Sequence, residues 1–292
     1  MEIKDKLLLT GEDFKPSFSD WAIKGVLNPG AVRLPDKRVL LLVRVAESAI
    51  PKEGTMMSCP IMSSEKEYSF HYQHIHEKEV VRKGRWGEMY LKDGSCRLPT
   101  ISHFKKVILK SDGFKVEEIY QKPAFTGMSG EGDYGVEDPR IIKMGKDYLM
   151  TYVSISTNEG VSTSLAISED LNKWERKGII FREQNKDVII FPEKIGDKYV
   201  AYHRPEGFFE FSRPGIWISY SPDLIYWGRE KSILRPRQNS WDDIRIGAGA
   251  PPLKTKRGWL LIYHGVRNNG EKSVYSAGAV LVDLKNPEKI IA

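Results

Sequence analysis

Gly135-Val136-Glu137-Asp138-Pro139-Arg140-Ile141 opens a unit that the rest of the chain repeats. Its centre sets a ring-locked proline between opposite charges at the mouth of an apolar strand, an arrangement that is costly to bury and suits a site, although an ordinary Asx-Pro turn uses the same residue types. The turn Gly145-Lys146-Asp147 then leads into a second strand, Tyr148–Val153. Three further segments follow this plan. Asn28-Pro29-Gly30 leads through Asp36-Lys37-Arg38 to Val39–Arg44, Asp187 leads through Gly196-Asp197-Lys198 to Tyr199–Arg204, and Gly249 leads through Lys256-Arg257-Gly258 to Trp259–His264. The turns are of hairpin composition.

A second signature follows these units. Ser168-Glu169-Asp170-Leu171 reaches Trp174, Ser221-Pro222-Asp223-Leu224 reaches Trp227, and Ser111-Asp112-Gly113-Phe114 is a weaker copy. Units of about 50 residues, each four short strands long, are the signature of propeller blades. The expected fold is therefore an all-β propeller over residues 1–292 as one domain, with four clear repeats and an insertion at 51–97. The insertion carries His71, His74 and His76, but no carboxylate or cysteine joins them at a metal-binding spacing, so a loop rimming the site is the expectation. Met56, Met57 and Met62 are expected to pack.

Composition narrows the class. The chain has 292 residues, 40% hydrophobic, 29% charged and 11% aromatic, which fits a globular protein and not a disordered one. No apolar run approaches the roughly 20 residues of a membrane helix. Met1-Glu2-Ile3-Lys4-Asp5-Lys6 does not resemble a secretory signal, so a cytoplasmic location is expected. Cys59 and Cys96 form no Cys-x-x-Cys motif and read as plain thiols. The net charge of +6 is spread along the chain, which favours solubility over a nucleic-acid stripe.

Counting five residues into each second strand lands on Arg44, Val153, Arg204 and His264. Equivalent positions of propeller blades lie around one axis, so two arginines and a histidine are expected to converge there. Lys186 and Arg140 stand at the openings of two of the same units. Such a cationic cluster suits an oxyanion, which arginine grips bidentately. Alternatively each cation pairs with a neighbouring acid, Arg140 with Glu137 for instance, and ties blades together.

The stretches 135–141, Phe191-Pro192-Glu193-Lys194-Ile195-Gly196 through His203-Arg204-Pro205, Ile216-Trp217-Ile218-Ser219-Tyr220-Ser221-Pro222-Asp223-Leu224, and Arg245-Ile246-Gly247-Ala248-Gly249-Ala250-Pro251-Pro252 through Tyr263-His264-Gly265-Val266 resemble the β-mannoside phosphorylases of glycoside hydrolase family 130. The resemblance spans about residues 24–50 and 98–292. It implies a five-bladed propeller, no metal or organic cofactor, and inverting phosphorolysis of a terminal β-mannosyl unit of a manno-oligosaccharide to α-mannose 1-phosphate, a glycosyltransferase-type reaction with inorganic phosphate as co-substrate. It also implies roles for residues: Asp138 as general acid acting through the sugar's 3-hydroxyl, Lys186, Arg204 and His264 as the phosphate cradle, and Asn28 and Arg44, with Arg140, as sugar contacts. With four clear repeats, the fifth blade is expected to be incomplete or closed by Leu7–Trp21. Homo-oligomerisation, the linkage and the aglycone stay open.

A phosphorylase needs one acid and a held anionic nucleophile, whereas an inverting hydrolase needs a second carboxylate to activate water. Glu206 or Glu210 would supply that base in a β-1,2-mannosidase. A third reading is a non-catalytic glycan-binding propeller in which Trp217, Tyr220 and Phe208 stack sugars.

Overall fold

The computed structural model describes residues 5–63, 68–84, 87–207, 211–270 and 272–292. The described residues are strands and turns, with two three-residue 3₁₀ turns, Gly11–Asp13 and Glu77–Glu79, as their helical content. None of the helices is long and apolar enough to cross a membrane. The four repeats are four main sheets. The first pairs Trp21–Arg33, Val39–Ala49, Ile101–Leu109 and Val116–Phe125 in that order, and the second pairs Val136–Met144, Asp147–Ser156, Gly160–Ser168 and Glu175–Phe181. The third pairs Asn185–Ile190, Tyr199–Pro205, Ile216–Ser221 and Gly228–Leu234. In the fourth, Arg245–Ala248 and Leu253–Lys254 both pair with Trp259–Asn269, which continues to Lys272–Val282.

The chain forms two compact units, residues 1–139 with 154–158, and residues 140–153 with 159–292. In the first unit, the strand Val39–Ala49 is apolar on both faces. Leu41, Val43 and Val45 pack with Val107, Leu109 and Phe14, as a strand covered on both sides requires. Leu8 and Leu9 join this core, and Lys15 N–H donates to Gln121 at 2.8 Å, so the N-terminal segment lies against the first sheet. Residues 57–97 sit between the second and third strands of that sheet and build a two-stranded and a three-stranded sheet of their own. Their methionines pack as expected, Met62 against Trp21 and Ile101, and Met56 and Met57 against Cys59 and Ile75.

Two apolar clusters stand out among the described residues of the second unit. Ile189, Tyr202, Ile218, Trp259 and Leu261 form one, and Leu149, Leu165, Val188 and Ala201 belong to the other. The Ser-x-Asp-Leu copies turn the chain into the last strands of the second and third sheets. In each, the serine hydroxyl accepts the leucine N–H at 2.8 Å, and the aspartate Oδ1 accepts two later backbone N–H groups. Leu171 and Leu224 thereby adopt φ of +61° and +73°, a conformation that costs a branched side chain about 1–2 kcal/mol. Their burial and the turn hydrogen bonds offset that cost. This repeat is therefore structural, and it has a further copy after the fourth sheet's last long strand, where Asp283 Oδ1 accepts the N–H groups of Lys285 and Asn286.

Candidate functional site

Polar residues with left-handed backbones open three of the sheets. Asn28, Asp138 and Asp187 have φ of +27°, +52° and +54°. Two of them lie at register shifts: between Leu27, opposite Arg44, and Gly30, and between Lys186, opposite Arg204, and Ile189. A bulge of this kind re-aims one side chain without breaking the strand, and Asn and Asp tolerate the required φ better than other non-glycine residues.

In the first unit these backbones assemble an acid cluster. Arg44 donates from Nη1 to Asp138 Oδ1 at 2.9 Å, from Nη2 to Glu137 Oε1, and from Nε to Ser102 Oγ at 3.1 Å. Asn28 Nδ2 donates to the same Asp138 oxygen at 2.9 Å. All three donor directions of the guanidinium are thus used. Burial works against the charge on Arg44, but Glu137 and Asp138 outweigh it and raise its pKa, so the arginine stays cationic. Gly135, with φ of +95°, bridges to Ser102 in parallel register. A Cβ there would lie 2.4 Å from the Ser102 carbonyl oxygen, so glycine is what lets Glu137 and Asp138 come in under the first sheet.

In the second unit the cluster is cationic. Arg204, 5% exposed, places Nη1 3.1 Å from Asp187 Oδ2 and Nη2 2.8 Å from Glu206 Oε1. His264 Nε2 lies 3.5 Å from the same Asp187 oxygen. Asp187 Oδ2 nevertheless has no aligned hydrogen-bond donor among the described residues, so the Arg204 contact is a charge pair and the His264 contact a close approach, neither a directed bond. Arg204 Nε and Arg245 Nε are likewise buried without a hydrogen-bond acceptor among the described residues. Burial lowers the pKa of His264. Asp187 opposes that shift, while Arg204, Arg140 and Arg245 add to it, so the imidazole is neutral near pH 7.

The sequence reading therefore divides. Asn28, Arg44 and Asp138 come together in the first unit. Arg204 and His264 meet at Asp187 in the second, with Lys186 opposite Arg204 and the charge of Arg140 felt at His264. Glu137 pairs with Arg44. Asp187 was legible only as a unit opener, and its signal was its kinship with Asn28 and Asp138. Arg245 and Gly247 gave none. Elsewhere, His74 Nδ1 is 2.9 Å from Ser58 Oγ, and His76 Nδ1 is 3.1 Å from the Gly54 carbonyl. Among the described residues no three His, Cys, Asp or Glu side chains gather to hold a metal. Tyr220 packs against the core and donates to Glu288 at 2.9 Å, and Trp217 stands opposite His203 in the third sheet. Phe208 and Glu210 lie outside the described residues.

Residues 76–292 match a family model described as β-1,4-mannooligosaccharide phosphorylase, Glyco_hydro_130. A 1,2-β-oligomannan phosphorylase of Thermoanaerobacter sp. is 44% identical over 186 residues, 63% of this chain and 59% of that protein. The β-1,2-mannobiose phosphorylase of Listeria innocua is 31% identical, and its structure in complex with β-1,2-mannobiose superposes with a TM-score of 0.86 over 97% of this chain and 79% of that one. A β-1,4-mannooligosaccharide phosphorylase of Ruminococcus albus is 28% identical over 71% of this chain and 62% of that protein. The chain thus matches between about three fifths and four fifths of the length of these relatives.

Proposed function

The chain belongs to glycoside hydrolase family 130, and from that premise we propose that it is an inverting β-mannoside phosphorylase. The observation that carries the choice of phosphate is in the second unit. Arg204 Nε and Arg245 Nε are buried donors that the described protein groups do not satisfy, beside a neutral His264. Buried donors are satisfied in nearly all native structures, and an oxyanion is the partner that answers this set. Arg204, His264 and Lys186 hold phosphate, screen its charge and fix its attacking oxygen.

Asp138 delivers the proton, through the sugar's 3-hydroxyl, to the glycosidic oxygen. The phosphate oxygen forms a bond to C1 as the C1–O bond to the aglycone breaks, giving α-mannose 1-phosphate and a sugar shortened by one unit. Arg44 and Asn28, both donating to Asp138 Oδ1, orient the carboxyl group and contact the mannosyl unit; Arg140 is assigned to sugar as well. No metal or organic cofactor takes part in this chemistry.

The proposal includes a five-bladed propeller, a cytoplasmic setting in which buried Cys59 stays a thiol, and manno-oligosaccharides as substrates. Burial pushes that thiol up to about 11. Names of relatives at 44% and 31% identity favour the β-1,2 linkage. A hydrolase would use Glu206 as base, but that carboxylate is already engaged by Arg204 at 2.8 Å. The test is β-1,2- and β-1,4-mannobiose assayed with and without phosphate, with products followed by ³¹P NMR. Phosphate-dependent appearance of α-mannose 1-phosphate is expected, and mannose release at an unchanged rate without phosphate would refute the reading.

A further inference from the structure

Asp187 is an acid inside a cluster assigned to bind an anion, and a carboxylate cannot itself hold phosphate. We propose that Asp187 is a positioning residue that aims Arg204 and His264, with Gly247 kept small to make room for it; the inference rests on the phosphorylase reading. Three observations support it. Asp187 is held at φ +54° at a register shift, so its carboxylate is aimed by the backbone. Its Oδ2 lies between Arg204 Nη1 at 3.1 Å and His264 Nε2 at 3.5 Å, and so touches side chains from the second strands of two successive sheets. At Gly247, opposite His264, an added Cβ would fall 2.0 Å from that same oxygen and 2.8 Å from His264 Cε1.

The chemistry follows from charge and geometry. The Asp187 carboxylate repels phosphate but orients the groups that grip it, and these two effects oppose each other in affinity. They do not oppose each other in turnover, because a nucleophile displaced by about 1 Å loses up to about a hundredfold in rate. Asp187 also pulls the pKa of His264 upward against burial and against Arg204, Arg140 and Arg245; beyond these, the ring of Tyr275 lies 5.8 Å from the imidazole.

The experiment compares Asp187→Asn and Gly247→Ala with wild type in the full chain. Asparagine keeps size and tolerates the left-handed φ, and Gly247 does not have a positive φ, so both variants are expected to fold. For Asp187→Asn, kcat on β-1,2-mannobiose should fall by about ten- to a hundredfold, while the phosphate dissociation constant from calorimetry moves by less than about threefold. In ligand-free protein, the His264 ring signal, assigned with His264→Asn, should titrate at lower pH than in wild type. Gly247→Ala should shift kcat and the His264 midpoint in the same directions with Asp187 still present. A phosphate-dependent wild type together with an Asp187→Asn enzyme of normal kcat, or with an unmoved His264 midpoint, overturns the inference alone. A wild type that neither binds nor needs phosphate overturns the phosphorylase reading and the inference with it.

Discussion

Asp138 and Asp187 share a backbone and differ in what surrounds them. Both sit near φ +50° on the first strand of a sheet, and both have an arginine Nη1 about 3 Å away. Asp138 receives two aligned hydrogen bonds on one oxygen from Arg44 and Asn28, and the guanidinium of Arg44 is fully used by Asp138, Glu137 and Ser102. Asp187 has a charge pair and a close approach, neither aligned, and Arg204 keeps a buried Nε with no acceptor among the described residues. One local device, a polar residue on a strand bulge, thus serves two ends. Where the donors are saturated the aspartate itself is the working group, and where they are not the neighbouring cations are.

That contrast is broken most directly by making the same change at both places. Asp138→Asn preserves the left-handed backbone and can still accept from Arg44 and Asn28, but it carries no proton to give. Turnover should fall by about 10²–10⁴, with the melting temperature nearly unchanged and phosphate binding intact. If Asp138→Asn and Asp187→Asn lowered kcat alike and both moved the His264 titration, the two aspartates would not have separate tasks.

Stability should follow saturation as well. Arg44→Met would leave Glu137 and Asp138 side by side without their counter-charge, and breaking a buried pair from one side costs about 3 kcal/mol or more. Arg204→Met should cost less, because one of its two acids, Glu206, is 27% exposed and can turn to water. Denaturant unfolding of the two variants gives the ranking, and a larger loss for Arg204→Met would reverse the assignment of which cluster is structurally complete.

Ligand binding should show the opposite order. Arg204→Ala removes charge-assisted hydrogen bonds of about 1.5–3 kcal/mol, a roughly ten- to hundredfold rise in the phosphate constant with the mannoside constant little altered. The reverse reaction should suffer equally for α-mannose 1-phosphate. Initial rates with each substrate varied in turn provide the check, and an unchanged phosphate constant would make the arginine structural.

Much of this was legible in the sequence because turn chemistry is local. Gly145, Gly196 and Lys37 take the positive φ that their hairpins need, and the two Ser-x-Asp-Leu copies close the same turn with the same hydrogen bonds. Registering the second strands brought Arg204 and His264 to one carboxylate, which periodicity could do because the repeats are in phase. Asp187 and Arg245 escaped because their partners come from other strands and other sheets. The copy at Asp283 escaped for lack of its serine. A buried network in the first unit was also invisible: Glu47, His103 and Lys105 are each at most 1% exposed, with Glu47 3.0 Å from His103 and 3.2 Å from Lys105. Sequence shows that a charge interrupts a strand, not that charges of two neighbouring strands meet.

Acid supplies the smallest and last separation of the two units. His203, beside Arg204 in sequence, is 1% exposed, stacks on Phe181 at 4.5 Å, and has no acid to offset its burial, which pushes its pKa down to about 3. A depressed pKa means that stability is fully present above the unfolded value of 6.5 and is lost as pH falls toward 3, since only the unfolded chain takes up the proton. At pH 5 the loss is about 2 kcal/mol. In the first unit burial also lowers His103, with Glu47 at 3.0 Å opposing the shift. Glu47 itself is held down to about 2, and its contribution is lost only below its ordinary 4.5. Hydrogen exchange at pH 7 and pH 5, corrected for intrinsic rates, should therefore show protection falling in Tyr199–Pro205 and Ile216–Ser221 before it falls in Val39–Ala49 and Ile101–Leu109. The margin should narrow below about pH 3, where the loss from His203 is complete while folded Glu47 still resists the proton that the unfolded chain takes up. Earlier loss in the first unit at pH 5 would mean that Glu47 does not support His103, and His203→Leu, which removes the titrating ring, should abolish the pH 5 loss in the second unit if the histidine causes it.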